Sequence, residues 1–262
     1  MDEGAVSRGD ALDRDLTSVW GALTRILPSV RFERRDGYVV ISYPRLPSAL
    51  INGVWSAGDP ALSADELAGL LDEIEATGAQ PGVCIRDGEA PSLEQLASRL
   101  ELTERHEVPG MAVTQSTFRP FSSPSLEIVR VLDARGLEVA LEVASAGFEI
   151  PREMLEELYT SPMLDHGAHI YVGSSDGSPV TTALFLSTGL SAGVFSVATP
   201  PADRGRGYAA AVTSRVVGDA FEAGADTAWL QSSPMAVGVY SGLGFETVTM
   251  YELWTKPSAL VA

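Results

Sequence analysis

The chain reads as an α/β protein of the α+β kind, a mixed sheet with helices on its faces. Strand-sized apolar runs bounded by Gly, Pro and Ser alternate with segments whose apolar residues recur at helical spacing. No apolar stretch approaches the roughly 20 residues that span a bilayer, so the apolar content is expected to build a folded core. The composition agrees: of 262 residues, 45% are hydrophobic, 20% charged and 7% aromatic. That is a globular profile, neither disordered nor collagen-like. The length suits one large domain or two of about 100–150 residues each.

The first dozen residues are charged and expected to fray. Leu16, Val19, Trp20, Leu23, Ile26 and Leu27 fall at helical spacing, and Pro28 stops that helix. Tyr38–Ile41 and Leu50–Trp55 read as strands. Ser63 with Glu66 three residues on is a capping box, opening a helix striped by Leu67, Leu70, Leu71 and Ile74. Val83–Ile85 reads as a buried strand, Ser92–Leu100 as a helix, and the segments around Leu102 and Met111–Val113 as extended. Phe118–Ser125 then holds two prolines and three serines between patterned segments, a linker composition.

Beyond it the order is strand (Leu126–Leu132), helix (Leu137–Ser145), helix (Pro151–Tyr159) and strand (Ala168–Val172). Asp176-Gly177 turns a hairpin into a strand over Val180–Leu186. A strand at Gly193–Val197, a Gly/Arg loop and a helix over Tyr208–Ala223 follow. A strand (Thr227–Gln231), a short helix (Met235–Ser241) and a closing strand (Phe245–Trp254) complete the chain.

Charge narrows the partners. Lys+Arg 18 against Asp+Glu 35 leaves a net −17, a field that repels phosphate backbones and anionic lipid. Nucleic-acid and membrane-surface binding are therefore not expected; a cationic acceptor suits this surface better. The N-terminus has no basic segment followed by an apolar core, so a cytoplasmic setting is expected. One cysteine, Cys84, excludes an internal disulfide and a multi-Cys zinc site. His106, His166, His169 and Cys84 show no metal-ligand spacing, and no metal is expected.

The most informative segment runs from Val194 to Ala211. An apolar strand enters a loop with two closely spaced glycines, which opens directly into an Ala-rich helix. Glycines let the backbone turn tightly and approach a ligand. The first turn of a helix has N–H groups without intrahelical partners, and its dipole favours negative charge. Arg204 and Arg206 add positive charge. These features make an anion cradle, most naturally for a phosphate or pyrophosphate. It is neither the G-x-x-x-x-G-K-[ST] nor the G-x-G-x-x-G pattern.

The run Arg204-Gly205-Arg206-Gly207-Tyr208-Ala209 instead resembles the [Q/R]-x-x-G-x-[G/A] signature of the GCN5-related N-acetyltransferases. Ala236–Phe245, with Tyr240 and Gly244-Phe245, is similar to the tyrosine and G-F ending of that family. The resemblance covers about residues 125–255. It implies a mostly antiparallel sheet flanked by helices, and acetyl transfer from acetyl-coenzyme A to a primary amine of a small molecule or peptide N-terminus, directly within a ternary complex. By carry-over, Arg204, Gly205, Arg206, Gly207, Tyr208 and Ala209 would hold the pyrophosphate. Val197, Ala198 and Thr199 would meet the pantetheine arm through the backbone, and Tyr240 would protonate the departing thiolate. Two positions depart from the family. Ser232-Ser233-Pro234 stands where relatives often have Asn, and the strand before the loop carries no carboxylate. The general base is therefore unassigned among Glu153, Glu156, Glu157, Asp165 and His166, and the acyl length is open.

The first half resembles a second such domain that has lost its phosphate loop, so the expected organisation is a degenerate copy over 1–118, a linker at 119–125 and a catalytic domain over 126–262. An acyl-coenzyme A sensor or interaction module without catalysis is the alternative.

Overall fold

The computed structural model describes residues 7–257. Two compact units divide the chain: Met1–Val19 with Met111–Thr247, and Trp20–Gly110 with Val248–Ala262. The Pro/Ser segment 119–125 lies inside the first unit and so does not mark the division between them.

Helix α1 (Arg8–Leu23) opens the described chain. It begins well ahead of Leu16, because Leu12 joins Leu16, Val19 and Leu23 on one buried stripe. The first-dozen fraying is thereby corrected for residues 8–12; residues 1–6 lie outside the described part.

Next come β1 (Arg31–Arg35), β2 (Tyr38–Ser42), β3 (Gly53–Ser56), α2 (Ala64–Glu75), β4 (Gly82–Arg86), α3 (Pro91–Arg99) and β5 (Glu104–Thr114). The sequence gives no apolar signal for β1, whose residues are Arg-Phe-Glu-Arg-Arg. It is a charged edge strand, paired antiparallel with β2 across the Asp36-Gly37 turn. The capping box of α2 is present as expected: Ser63 Oγ accepts from the Glu66 N–H at 3.2 Å, and Glu66 Oε2 accepts from the Ser63 N–H at 2.9 Å. The Leu67, Leu70, Leu71 and Ile74 stripe of α2 packs with Val40, Val54, Val83 and Ile85.

The later elements are β6 (Glu127–Arg130), α4 (Ala134–Phe148), α5 (Ser161–Asp165), β7 (Ala168–Ser175), β8 (Ser178–Thr188), β9 (Ser191–Ala198), α6 (Tyr208–Glu222), β10 (Thr227–Gln231), α7 (Val237–Gly242) and β11 (Glu246–Thr255). The helix expected over Pro151–Tyr159 is instead two 3-10 turns, Arg152–Met154 and Glu156–Leu158. Glu149 caps α4 in the left-handed region at φ 59°, turning the chain out of the helix just before Pro151.

In the first unit the strand order is β5-β10-β9-β8-β7-β6. The β6–β7, β7–β8 and β8–β9 pairs are antiparallel, and β9–β10 is parallel. Val212, Val216, Val217 and Ala220 of α6 cover one face, against Tyr171, Phe185, Val194, Ala228 and Leu230. In the second unit the order is β1-β2-β3-β4-β11, with β3–β4 parallel and β1–β2, β2–β3 and β4–β11 antiparallel. The fold is thus the mixed, mostly antiparallel sheet that the sequence predicts.

The succession β3-α2-β4-α3-β5 repeats as β9-α6-β10-α7-β11, and each run contains one parallel pair. The final strands are exchanged: β11 pairs with β4, and β5 neighbours β10.

Candidate active site

The site is built around the place where β9 and β10 stop pairing. Their parallel register runs Thr227↔Ser191, Ala228↔Ala192 and Trp229↔Gly193, and ends there. Both strands continue, β9 to Ala198 and β10 to Gln231. Gly193 is the reason two large rings fit at this point. A Cβ there would lie 2.6–2.7 Å from Phe195 and Trp229 ring atoms, which meet edge to face at 5.4 Å.

Past this point β9 bulges. Its register on β8 jumps from Leu184↔Phe195 to Thr182↔Ala198, so Ser196 and Val197 stand opposite the single residue Ala183. Ser196 takes φ 53°, a left-handed conformation costing a non-glycine residue about 1–2 kcal/mol. Tyr159 holds it there, its hydroxyl 2.6 Å from Ser196 Oγ. Burial pushes the Tyr159 phenol up to about 12, against the opposing hydrogen bonds to Ser196 and Thr182. Tyr159→Phe should cost about 1 kcal/mol by orphaning the Ser196 hydroxyl, a fall of about 2–4 °C in Tm by calorimetry. An unchanged Tm would remove Tyr159 from this role.

Beyond Ala198 the chain turns through Pro201–Asp203 into Arg204-Gly205-Arg206-Gly207. Gly205 and Gly207 sit at φ 76° and 79°, positions that glycine occupies without strain. The first backbone bond of α6 runs from the Ala211 N–H to the Gly207 carbonyl, so the N–H groups of Tyr208, Ala209 and Ala210 lack intrahelical partners. Among the described residues no side chain caps this end, and its first turn holds no acid. The corresponding helix of the other run, α2, is the opposite case. Ser63 caps it, and Asp65 and Glu66 occupy its first turn. The Glu66 amide is already engaged by the cap, and the acidic first turn repels an anion.

The two arginines differ in what they do. Arg204, itself exposed, folds back as a clamp: Nε donates to the Thr199 carbonyl at 3.1 Å, while Nη2 donates to the Gly147 carbonyl at 2.7 Å and to Glu149 at 3.2 Å. Gly147 lets α4 come this close, since a Cβ there would meet Ala198 Cβ at 2.8 Å. Arg206 stays exposed, 3.5 Å from Asp203. The Tyr208 hydroxyl donates to Ser175 Oγ at 3.0 Å, and its hydrogen bonds with Ser175 and Arg206 hold the phenol below the usual range. Ala198 and Thr199 are tied to β8, through Thr181 Oγ1 at 3.0 Å to the Ala198 carbonyl and 2.9 Å to Thr199 Oγ1.

Tyr240 lies on α7, buried in the cluster that holds Val194 of β9 and Leu230 of β10, with Val197 packed against it. Its ring meets Phe245 edge to face at 5.9 Å. Burial pushes its phenol up to about 12, and its hydroxyl has no hydrogen-bond partner among the described residues. Tyr240 thus shares one hydrophobic cluster with residues of β9 and β10.

The acidic candidates are more scattered. Glu156 faces Arg152 at 3.7 Å, and Glu138 and Glu142 pair with the same guanidinium. His166 Nδ1 is 2.8 Å from the Pro162 carbonyl. His169 stacks against Phe185, and burial holds its imidazole below the usual range. Among the described residues no group of three or more His, Cys, Asp or Glu could hold a metal ion.

Two features have no counterpart in the sequence reading. One is Tyr159, a distant ring that only the fold delivers to the bulge. The other is Gln231, whose buried side-chain nitrogen has no partner at the end of β10; a polar residue closing the run Ala-Trp-Leu was its signal. A separate cleft of about 450 Å³ lies at the opposite ends of the same strands, lined by Asp15, Ser191, Asp226 and Thr227.

A mostly antiparallel sheet, parted at one parallel pair in front of an uncapped helix, is the acetyltransferase fold of the GCN5-related class. Residues 138–245 match the model of the acetyltransferase (GNAT) family. A GCN5-related N-acetyltransferase from Kribbella flavida is similar in structure, with TM-score 0.66 and 20% identity over 93% of this chain and 96% of that one. Another from Sphaerobacter thermophilus gives TM-score 0.58 and 17% identity over 84% and 80%. A tandem GNAT protein from the clavulanic acid biosynthesis pathway gives TM-score 0.59 and 12% identity over 91% and 86%. A search of curated proteins returned no match. Among the described residues no helix is long and apolar enough to cross a membrane.

Proposed function

We propose that the protein is an N-acetyltransferase that moves an acetyl group from acetyl-coenzyme A to a primary amine of a small molecule or a peptide N-terminus. The observation that carries this is the end of β9–β10 pairing in front of the uncapped α6. Free amides of Tyr208, Ala209 and Ala210 suit a diphosphate, with Arg206 adding charge at the rim. Arg204 acts from behind, fixing the loop to α4. The unpaired edge of β9 suits the amide-bearing pantetheine arm, which would add to it as a strand does.

Transfer then needs a neutral amine held against the thioester carbon with water kept out. The amine nitrogen attacks the carbonyl carbon, and the N–H of Val197, which the bulge at Ser196 takes out of register with β8, would meet the developing oxyanion. The C–S bond breaks, Tyr240 gives its proton to the thiolate, and the proton that the attacking nitrogen sheds on becoming an amide passes through water to restore the phenol. A thiol pKa of about 8.5, by analogy with cysteine, lies well below that of the buried phenol. The proton is therefore shared in the transition state rather than released early. The excess proton of an ammonium acceptor leaves through water. The acidic surface, at net −17, favours cationic acceptors.

Two titrations test this. Calorimetry should show acetyl-coenzyme A binding with one site per chain. A thiol-release assay across amines and peptides should show coenzyme A released with at least one acceptor. The lack of a carboxylate in Ser191–Ala198 favours a second possibility, a non-catalytic acyl-coenzyme A sensor. Binding without release for every acceptor would support the sensor, and no binding would exclude both.

A further inference from the structure

The Pro/Ser segment 119–125, which reads as a linker, is strapped across the N-terminal end of α6. The Phe121 N–H donates to Ser214 Oγ at 2.8 Å, two turns into that helix. Ser125 joins Ser175 and Arg206 around the Tyr208 hydroxyl. Leu126 then packs on Gly173, where a Cβ would lie 3.1 Å from its side chain. Pro120 and Pro124 restrict the backbone on either side. The strap is thus held along its length by the helix whose amides form the cradle.

One side chain on it is out of place for a linker. Phe121 is 46% exposed, one of five exposed large apolar residues among the described residues. It stands directly beside the cradle: a methyl added to Gly207 would be 3.3 Å from Phe121 Cζ. One edge of the ring therefore rests on the loop, while its backbone is fixed at Ser214. A flat apolar surface held open next to a diphosphate site matches the chemistry of a nucleotide base, which offers a π-face at a short distance from its phosphates.

We propose that Phe121 is the base platform of this site, stacking the purine of the nucleotide whose diphosphate lies on Tyr208–Ala210. This rests on the coenzyme reading above and adds a recognition element from outside the residues 138–245 that match the family. The segment is accordingly part of the binding site, and the three serines and two prolines around Phe121 serve to hold one ring in place.

The test separates the ring from the rest of the ligand. Calorimetry on the full chain compares acetyl-coenzyme A with S-acetyl-4′-phosphopantetheine, which keeps thioester, arm and one phosphate but lacks the adenosine nucleotide. Phe121→Ala should weaken acetyl-coenzyme A binding about tenfold or more, and leave the truncated ligand within twofold. Phe121→Leu keeps apolar packing on Gly207 without a flat face, and should lose the same affinity; Phe121→Trp should retain it. Equal losses for the two ligands, or full affinity in Phe121→Leu, would overturn the platform. Wild-type protein that binds neither ligand would overturn the coenzyme reading as well, whereas wild-type binding with an unaffected Phe121→Ala variant removes only the platform.

Discussion

Tyr240→Phe should lower kcat for coenzyme A release about a hundredfold, while acetyl-coenzyme A affinity stays within twofold. The expectation follows from two features of the phenol. It is buried beside the strands that open onto the cradle, and burial pushes it up to about 12, so it is protonated throughout the neutral range. A protonated donor is what a departing thiolate needs, and the ring itself makes no claim on the diphosphate. Its hydroxyl has no partner to lose, so the variant should unfold at the same temperature as the wild type or slightly above it. Saturating thiol-release kinetics, calorimetry and a thermal melt together check the prediction. Unchanged kcat would take Tyr240 out of the proton transfer. A lowered Tm with proportionate loss of affinity would make it a packing residue.

What could be read from the chain, and what could not, divides along local and distant interactions. Ser63 and Glu66 announce the start of α2 because both partners of the box lie within one turn. The loop Arg204–Gly207 is legible for a similar reason: its glycine conformations and free amides are local properties of a strand-to-helix turn. Arg204 shows where that reasoning stops. Its guanidinium is aimed by carbonyls at Thr199 and Gly147, and the second of these lies 57 residues away. Its charge and its place in the motif suggested a phosphate ligand; its hydrogen bonds instead tie the loop to Thr199 and Gly147. Similarly, Glu153, Glu156 and Glu157 have the spacing of a helix face, but the left-handed Glu149 and Pro151 leave them on 3-10 turns. The exchange of β5 and β11 is beyond any local pattern. Each strand has an ordinary apolar sequence, and the partner it chooses depends on contacts made across the chain.

The comparison of α2 with α6 supplies the other large effect. Both helices follow a strand whose next strand is its parallel partner, yet one end is self-capped and acidic and the other is bare. If free amides at Tyr208–Ala210 are what bind the coenzyme, giving α6 the acid of α2 should close the site. Ala210 is the third residue of α6 and corresponds to Glu66 in α2, and it is only partly buried. Ala210→Glu places a carboxylate over the N-terminal amides, which favours the helix by about 0.3–1 kcal/mol. The same carboxylate opposes a diphosphate by several kcal/mol, a loss of about a hundredfold or more in acetyl-coenzyme A affinity. Stability and binding should therefore move in opposite directions in one variant, which a merely damaged fold would not do. Ala210→Gln, without the charge, should recover most of the affinity, and raised salt should narrow the gap between the two variants. If Ala210→Glu binds acetyl-coenzyme A as the wild type does, the diphosphate lies elsewhere, and the open strands beside β9 lose the ligand that accounts for them.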